Sequence, residues 1–306
     1  MRLMKGLILI IILFFGFIQS YADSGDSKNS RLTIPIPKIS QPPKIDGRLD
    51  DACWAKSTRL GGLYKFEPVD GKPASEKTVV YLAYDRENFY AAFRCFDRQK
   101  EQIRANISKR EDVDGDDLVG VLLDTFNSQR RGYVIGCNPL VIQIDGFMVE
   151  GKEIDYSLDL VYYSDGELNA EGYTVELTIP FKSLRFPAGE VQTIGFFAWR
   201  GIRRRNETSC WPPLDLSKNT VFDQEAQIKE LEGIEYSKNI EILPFFTGLQ
   251  VGGINDDGVF KNQSFDPDFG IGLKYGITPN VTLDFTYNPD FSQVEADAGQ
   301  VDVNLR

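Results

Sequence analysis

Four carboxylates crowd one short run of this chain: Asp112, Asp114, Asp116 and Asp117, in "DVDGDD". Hard oxygen ligands at this density suit Ca²⁺, and a solvated acidic loop is the other reading of the same residues. An EF-hand is excluded, because Asp117 stands at the sixth loop position where glycine is needed and Leu123 at the twelfth where glutamate belongs. The three tryptophans are a second chemical resource. An indole can serve as a plate for the apolar face of a sugar ring, with planar polar groups taking the hydroxyls. Trp199, mid-run in "FFAWR", is expected in the core. Trp211 is flanked by Thr208, Ser209, Pro212 and Pro213 and is expected in an exposed loop, where it could act as a stacking plate or as a packing lid.

Several chemistries are removed by what the chain lacks. It has no histidine, which takes away the usual proton shuttle, the Ser-His and Cys-His nucleophile pairs and every His-ligated metal site. The formal charge of −11 argues against a nucleic-acid partner, since phosphate backbones are bound through an excess of Lys and Arg. Arg203-Arg204-Arg205 is the one basic cluster and is expected to be a solvated strand edge. Cys53, Cys95, Cys137 and Cys210 are widely spaced, and both two disulfides and single buried thiols remain open. With 45 acidic residues some pair at glycosidase spacing is inevitable. No stretch stands out as an acid/base couple, so catalysis is not expected.

The elements that must position these residues read as strands. Residues 1–22 form a signal peptide: Arg2 and Lys5 open it, Gly6–Ile18 is an uncharged apolar run, and Ser20-Tyr21-Ala22 offers small residues for cleavage. That run is short of the roughly 20 residues a spanning helix needs. Residues 23–37 are a polar, then proline-punctuated linker. Beyond Lys38, strands are expected at 78–84, 89–96, 118–124, 132–138, 141–147, 172–180 and 193–203. In "GYTVELTIP" (172–180), Tyr173, Val175, Leu177 and Ile179 alternate with Thr174, Glu176 and Thr178, which predicts one buried and one wet face. Helical turns are expected only within 98–110 and 180–186. The fold class is therefore all-β, a two-sheet antiparallel β-sandwich over residues 38–235.

After Gly233 the texture changes. Residues 269–275 and 281–287 alternate apolar and polar around a turn at 276–280, a hairpin by pattern. Such pairs occur in soluble sandwiches and also in transmembrane barrels, which need about eight strands to close. The pattern alone leaves both readings open.

The stretch "PKIDGRLDDACW" (43–54) resembles the opening signature of carbohydrate-binding module family 9. "DDLVGVLLDTFNSQRRGYVIGCNP" (116–139) is similar to that family's acidic strand block, and "EGYTVELTIPFKSLRF" (171–186) to the segment before its last strands. The resemblance implies a sugar-binding sandwich in which Trp54 packs as core, and relatives that hold structural calcium add weight to the aspartate run. Position by position it points to Arg110, Asn138 and Trp211 as carbohydrate contacts. It also marks departures: Asp114 stands near an expected Trp, Gly120 near an expected Glu and Gly136 near an expected Arg. "KYGITPNVTLDFTYNPDFSQVEADAGQV" (274–301) resembles the start of a C-terminal domain of undefined function in bacterial proteins, a predicted outer-membrane β-barrel. Residues 236–306 are accordingly expected to begin a truncated β-barrel with its hairpins. The expectation that follows is an exported protein of a Gram-negative outer membrane or periplasm. It would bind a polysaccharide or oligosaccharide in carbohydrate catabolism without cleaving it, with the membrane as a second partner. A structural or gating cap on a barrel, and a glycoside hydrolase, are the alternatives.

Overall fold

A computed structural model describes residues 31–218, 220–235, 240–250, 252–254, 258–262, 264–278 and 281–288. The expected signal peptide, residues 1–22, and most of the stretch 274–301 lie outside the described residues. All elements below belong to the unit from Thr33 to Arg306. In chain order they are β1 (Thr33–Ile34), α1 (Ala52–Lys56), β2 (Thr58–Gly61), β3 (Tyr64–Glu67), β4 (Thr78–Tyr84) and β5 (Asn88–Phe96). There follow β6 (Leu118–Asp124), β7 (Arg131–Cys137), β8 (Gln143–Val149), β9 (Tyr163–Asn169) and β10 (Gly172–Pro180). The sandwich is completed by β11 (Val191–Ile202), β12 (Glu207–Trp211) and β13 (Ala226–Glu232).

Two sheets result. The larger runs β1-β13-β11-β6-β7-β8, with β12 pairing both β11 and β3, and the smaller runs β2-β4-β5-β10-β9. Turn chemistry fixes the hairpins: the Asp85 carboxylate accepts the backbone N–H groups of Glu87 and Asn88, each at 2.8 Å, and so reverses the chain between β4 and β5. Between the sheets lies one core, built from Val80, Leu82, Phe93, Val175 and Leu177 on one side and Val121, Leu123, Ile135 and Phe196 on the other. Burying each such side chain contributes about 1.5–3 kcal/mol. All four cysteines are buried as free thiols.

The two-faced pattern of β10 turns out differently. All nine of its residues are buried, because the outer face of the smaller sheet is covered by the 43–47 turn and α1. Glu176 is the anchor. Its Oε2 accepts Asp46 N–H at 3.0 Å and Gly47 N–H at 2.8 Å, and its Oε1 accepts the Trp54 indole N–H at 2.7 Å. Trp54 is 1% exposed. Gly47 has φ +78°, and a Cβ there would sit 2.7 Å from the Gly166 backbone, so only glycine lets the turn lie this close.

The basic cluster matches its expected solvated edge at Arg203 and Arg205, which are exposed, and departs from it at Arg204. Arg203–Arg205 form a 3₁₀ turn, and Arg204 is clamped by Asp97, with both Nη groups donating at 2.8 Å. Arg205 meets Glu76 at 3.2 Å. Arg200, fully buried, donates to Thr78 Oγ1 and to the Phe96 carbonyl at 3.0 Å each and lies over the Tyr173 ring. A buried cation is tolerable only with such partners, and here they join the ends of the two sheets. Strand β8 starts two residues later than its apolar run, because Leu140–Ile142 wrap around the Asn138 side chain. The helical expectations reduce to 3₁₀ turns at Lys100–Gln102 and Phe181–Ser183.

The C-terminal strands are β14 (Ile240–Leu249), β15 (Gly252–Ile254), β16 (Phe260–Asn262), β17 (Asp266–Thr278) and β18 (Val281–Tyr287). They form an open sheet β14-β17-β18 and a separate β15-β16 pair. No barrel closes among the described residues. The expected hairpin is β17–β18, with Tyr275 opposite Leu283 and Ile271 opposite Tyr287.

Burial pushes the Glu176 carboxyl up to about 7 from an ordinary 4.5, against the three donated bonds that favour its charged form. A carboxyl that holds its proton more tightly folded than unfolded contributes stability fully below pH 4.5, and that contribution is lost as the pH rises through about 7. Denaturant midpoints measured from about pH 4 to about pH 8 are expected to decline over that window and to flatten in Glu176→Gln.

Candidate functional site

The outer face of the larger sheet gathers the most distinctive surface chemistry. Trp199 on β11 is opposite Gly120 on β6, which is opposite Gly136 on β7, which is opposite Ile144 on β8. Cross-strand partners share a face, so the indole has two neighbours without side chains. It lies across both: a Cβ on Gly120 would come 2.6 Å from Trp199 Cζ2, and one on Gly136 would come 3.1 Å from the same atom. Gly146, two residues along β8 from Ile144, points the same way, and a Cβ there would meet Tyr156 Cδ1 at 3.1 Å. The Trp199 ring thus lies over Gly120 and Gly136, while Gly146 lies under Ile154, Asp155 and the edge of Tyr156.

Trp199 is half-buried and Tyr156 is 43% exposed. Burial pushes the Tyr156 phenol up, and Asp114 and Glu111 add to the shift through their charge. Carboxylates therefore border the aromatic face. Glu111 Oε1 is buried without a hydrogen-bond partner, and burial raises that carboxyl as well. The rest of the face is closed, with Phe222, Leu214 and Phe66 packed around Phe197, Leu122 and Val134. Glu150 holds the covering loop by accepting Val221 N–H at 3.1 Å and Phe222 N–H at 3.2 Å. Trp199 itself packs against this cluster, in line with its expected core role, and keeps only part of its surface open.

The residues singled out from the sequence lie elsewhere. Trp211 is the last residue of β12, not a loop residue, and is partly buried against the core between the sheets. Asn138 is 0% exposed, and every polar atom of its amide is engaged. Nδ2 donates to the Asn106 carbonyl at 2.9 Å and to Asp116 at 2.8 Å, while Oδ1 accepts Leu140 N–H and Ile142 N–H at 2.9 Å each. Arg110 donates from Nε to Asp145 at 2.8 Å, from Nη1 to Gln143 at 2.8 Å and from Nη2 to the Leu160 carbonyl at 2.8 Å. It also lies over the Tyr162 ring at 5.4 Å. No hydrogen bond or ring contact joins Trp211 to Arg110 or Asn138.

The four aspartates do not face a common point. Asp112 and Asp114 are exposed. Asp116 is buried and accepts the Asn106 backbone N–H at 3.0 Å and its amide at 2.6 Å. Asp117, 0% exposed, accepts Arg203 N–H at 2.7 Å, and burial raises its carboxyl. Among the described residues, no group of three or more Asp, Glu or Cys side chains is placed to hold a metal ion. Asp116 and Asp117 anchor loops, and Asp112 and Asp114 face solvent.

Strand-interior glycines were the signal for the Trp199 plate. Gly inside a strand marks close approach by another group, and positions 120, 136 and 146 each carry one. Their pairing across three strands is not a property of any local window.

Comparison with known proteins bears on two parts of the chain. Residues 240–306 match a domain of unknown function, DUF5916. A Bacteroides uniformis ATCC 8492 structure, of a protein whose carbohydrate binding is inferred, has a TM-score of 0.53 at 10% identity, covering 65% of this chain and 99% of its own. A carbohydrate binding module family 9 (CBM9) from Caldicellulosiruptor kristjanssonii in complex with cellotriose matches at TM-score 0.47 and 16% identity, over 64% of this chain and 92% of that one. The same module in complex with glucose gives 0.47, 16%, 64% and 94%. At these identities the likeness to the Bacteroides structure establishes the β-sandwich fold. No curated protein matches the chain.

If Asn138 is the pin of its loop, Asn138→Ala leaves Asp116 and two backbone N–H groups without their partner. The variant is expected to lose about 2–3 kcal/mol of unfolding free energy in denaturant titration. A residue serving only as a ligand contact would leave stability unchanged.

Proposed function

We propose that the sandwich is a non-catalytic carbohydrate-binding domain whose binding face is the outer face of the larger sheet, with Trp199 as the stacking plate. The observation that carries this reading is the half-buried indole bedded on Gly120 and Gly136 beside Tyr156 and its bordering carboxylates. In the family this chain resembles, a Glu is expected near Gly120 and an Arg near Gly136. Here the indole fills their space, so an apolar plate stands where polar contacts would be. The sandwich likeness to carbohydrate-binding structures supports the ligand class, and the engagement of the buried acids supports the absence of catalysis. Asp97, Asp116, Asp124, Asp145, Glu176 and Glu207 each accept hydrogen bonds that hold strands or loops together.

Calorimetric titration with cellotriose and xylotriose tests the assignment. Saturable binding is expected, and Trp199→Ala is expected to weaken it about tenfold or more, the loss of roughly 1.4 kcal/mol of stacking. A loss confined to Trp211→Ala would move the site to β12. No heat with either sugar from folded protein would sink the reading for those ligands.

We further propose that the C-terminal strands join a membrane barrel, placing the protein at the outer membrane of a Gram-negative envelope, where glycan capture would serve carbohydrate catabolism. One face of the β14-β17-β18 sheet carries Ile240, Ile242 and Phe246, then Phe269, Ile271, Leu273 and Tyr275, then Leu283, Phe285 and Tyr287. Ile240, Ile242, Phe246, Phe269, Leu283, Phe285 and Tyr287 are each more than half exposed. Gly270, Gly272, Lys274, Asp284 and Thr286 line the other face, together with Leu243 and Phe245, so the alternation is strict on β18 and broken on β14. An apolar face this continuous calls for cover, and lipid on one side with polar residues on the other is the pattern of barrel strands. Expressed in a Gram-negative host, the protein is expected to sediment with outer membranes and resist urea extraction. Recovery entirely in the soluble periplasmic fraction would overturn the membrane assignment.

A further inference from the structure

A second concave site lies on the opposite side of the sandwich. On the outer face of the smaller sheet, Tyr90 of β5, Thr178 of β10 and Tyr163 of β9 are consecutive cross-strand partners and so form one row on one face. The next row along, Ala92, Glu176 and Asp165, is where Glu176 fastens the 43–47 turn. The turn stops short of the Tyr90–Thr178–Tyr163 row and leaves a cleft of about 500 Å³, lined by Pro43, Ile45, Tyr90, Tyr163, Ser164 and Thr178. That size falls within the roughly 300–1,000 Å³ of small-molecule sites.

The chemistry of the lining narrows the ligand. Pro43, Ile45 and the two tyrosine rings offer apolar walls, and Tyr163 is 56% exposed on an edge strand. No lining residue is charged, in a chain whose net charge is −11. The Tyr90 hydroxyl is already committed, donating to Asp85 at 2.6 Å and accepting from the Asn88 amide at 3.1 Å. The Ser164 hydroxyl accepts from the Gln143 amide at 3.0 Å. Thr178 is the exception. It is 7% exposed, and its Oγ1 is buried with no hydrogen-bond partner. An orphaned hydroxyl in such a place carries a desolvation cost of about 1–3 kcal/mol, which a ligand hydroxyl can recover. Rotation of the exposed Tyr163 ring, a fast motion for a surface side chain, would give that ligand access.

We propose that this cleft is a second binding site, taking one uncharged sugar ring whose apolar face stacks on Tyr163 and whose hydroxyl pairs with Thr178 Oγ1. The choice of a sugar rests on the carbohydrate reading above; the existence of the site does not. Two sites on opposite faces of one domain would let it bridge two glycan chains or two points on one chain, which raises avidity without new contacts.

Titration of the full chain with glucose, galactose, xylose and mannose, in a Trp199→Ala background, isolates the cleft. Saturable binding of at least one sugar is expected to persist there and to disappear when Tyr163→Ala is added. Thr178→Val is expected to weaken it about fivefold, the loss of one hydrogen bond of roughly 1 kcal/mol. Because that variant removes an unpartnered hydroxyl while keeping the shape, its thermal midpoint is expected not to fall, which separates ligand contact from structural support. Monosaccharide binding that vanishes with Trp199→Ala alone would overturn the cleft and leave the first site standing. Residual binding untouched by Tyr163→Ala would overturn it as well. Binding lost with Tyr163→Ala but insensitive to Trp199→Ala would keep the cleft and remove the plate. No binding of any of these sugars by the unaltered protein would overturn the cleft assignment.

Discussion

A buried carboxylate sets the outer architecture of the smaller sheet. Ionised Glu176 in an apolar setting would cost several kcal/mol, and it is tolerable because the 43–47 turn and the Trp54 indole bring it three donors. The dependence runs both ways. Without that carboxylate the turn has nothing to close on, Trp54 loses its polar anchor, and the outer face of β10 would be open to water. The turn also carries Pro43 and Ile45, so the wall of the second cleft depends on the same group.

At the end of the sandwich the charges solve a different problem. Arg200 reaches from the larger sheet to the ends of β4 and β5, and Arg204 locks onto Asp97 just beyond β5. Breaking such a pair costs far more than forming it gains, because the surviving charge is left buried. The network therefore acts as a constraint on how the two sheets meet. A domain that recognises a ligand on a flat sheet face needs that constraint, since its binding groups sit on different strands.

Under the proposed function, the Trp199 plate is a binding surface whose chemistry changed without a change of fold. Glycines at two adjacent strand positions remove side chains, and the freed space is taken by an aromatic ring from a third strand. Strand glycines cost stability, and the packing of the indole against the sheet offsets part of that. The remaining polar groups lie at the rim, on Asp114 and Glu111, rather than beneath the ligand. Under the proposed function, recognition by this face would lean on stacking and favour the apolar side of a ring over the pattern of its hydroxyls.

Local sequence determined much of this protein: the strand positions from 78 to 124, the all-β class and the hairpin of β17 and β18. Their apolar periodicity and turn residues are properties of neighbours along the chain. Trp54 as core could also be anticipated from the motif around it. Tertiary structure decided the rest. The polar face of β10 is buried because a turn some 130 residues away supplies its partners, and no alternation pattern carries that information. Arg204 left the solvent, between two exposed arginines, because Glu76, Asp97 and Asp117 converge on it from three other segments. Asn138 and Asp116 spend their hydrogen bonds on each other, on Asn106 and on the backbone of Leu140 and Ile142. Trp199 packs on the outer face of the larger sheet and Trp211 on its inner face, because the face a strand residue shows depends on register. Register is set by which strands pair, and pairing is a property of the folded whole.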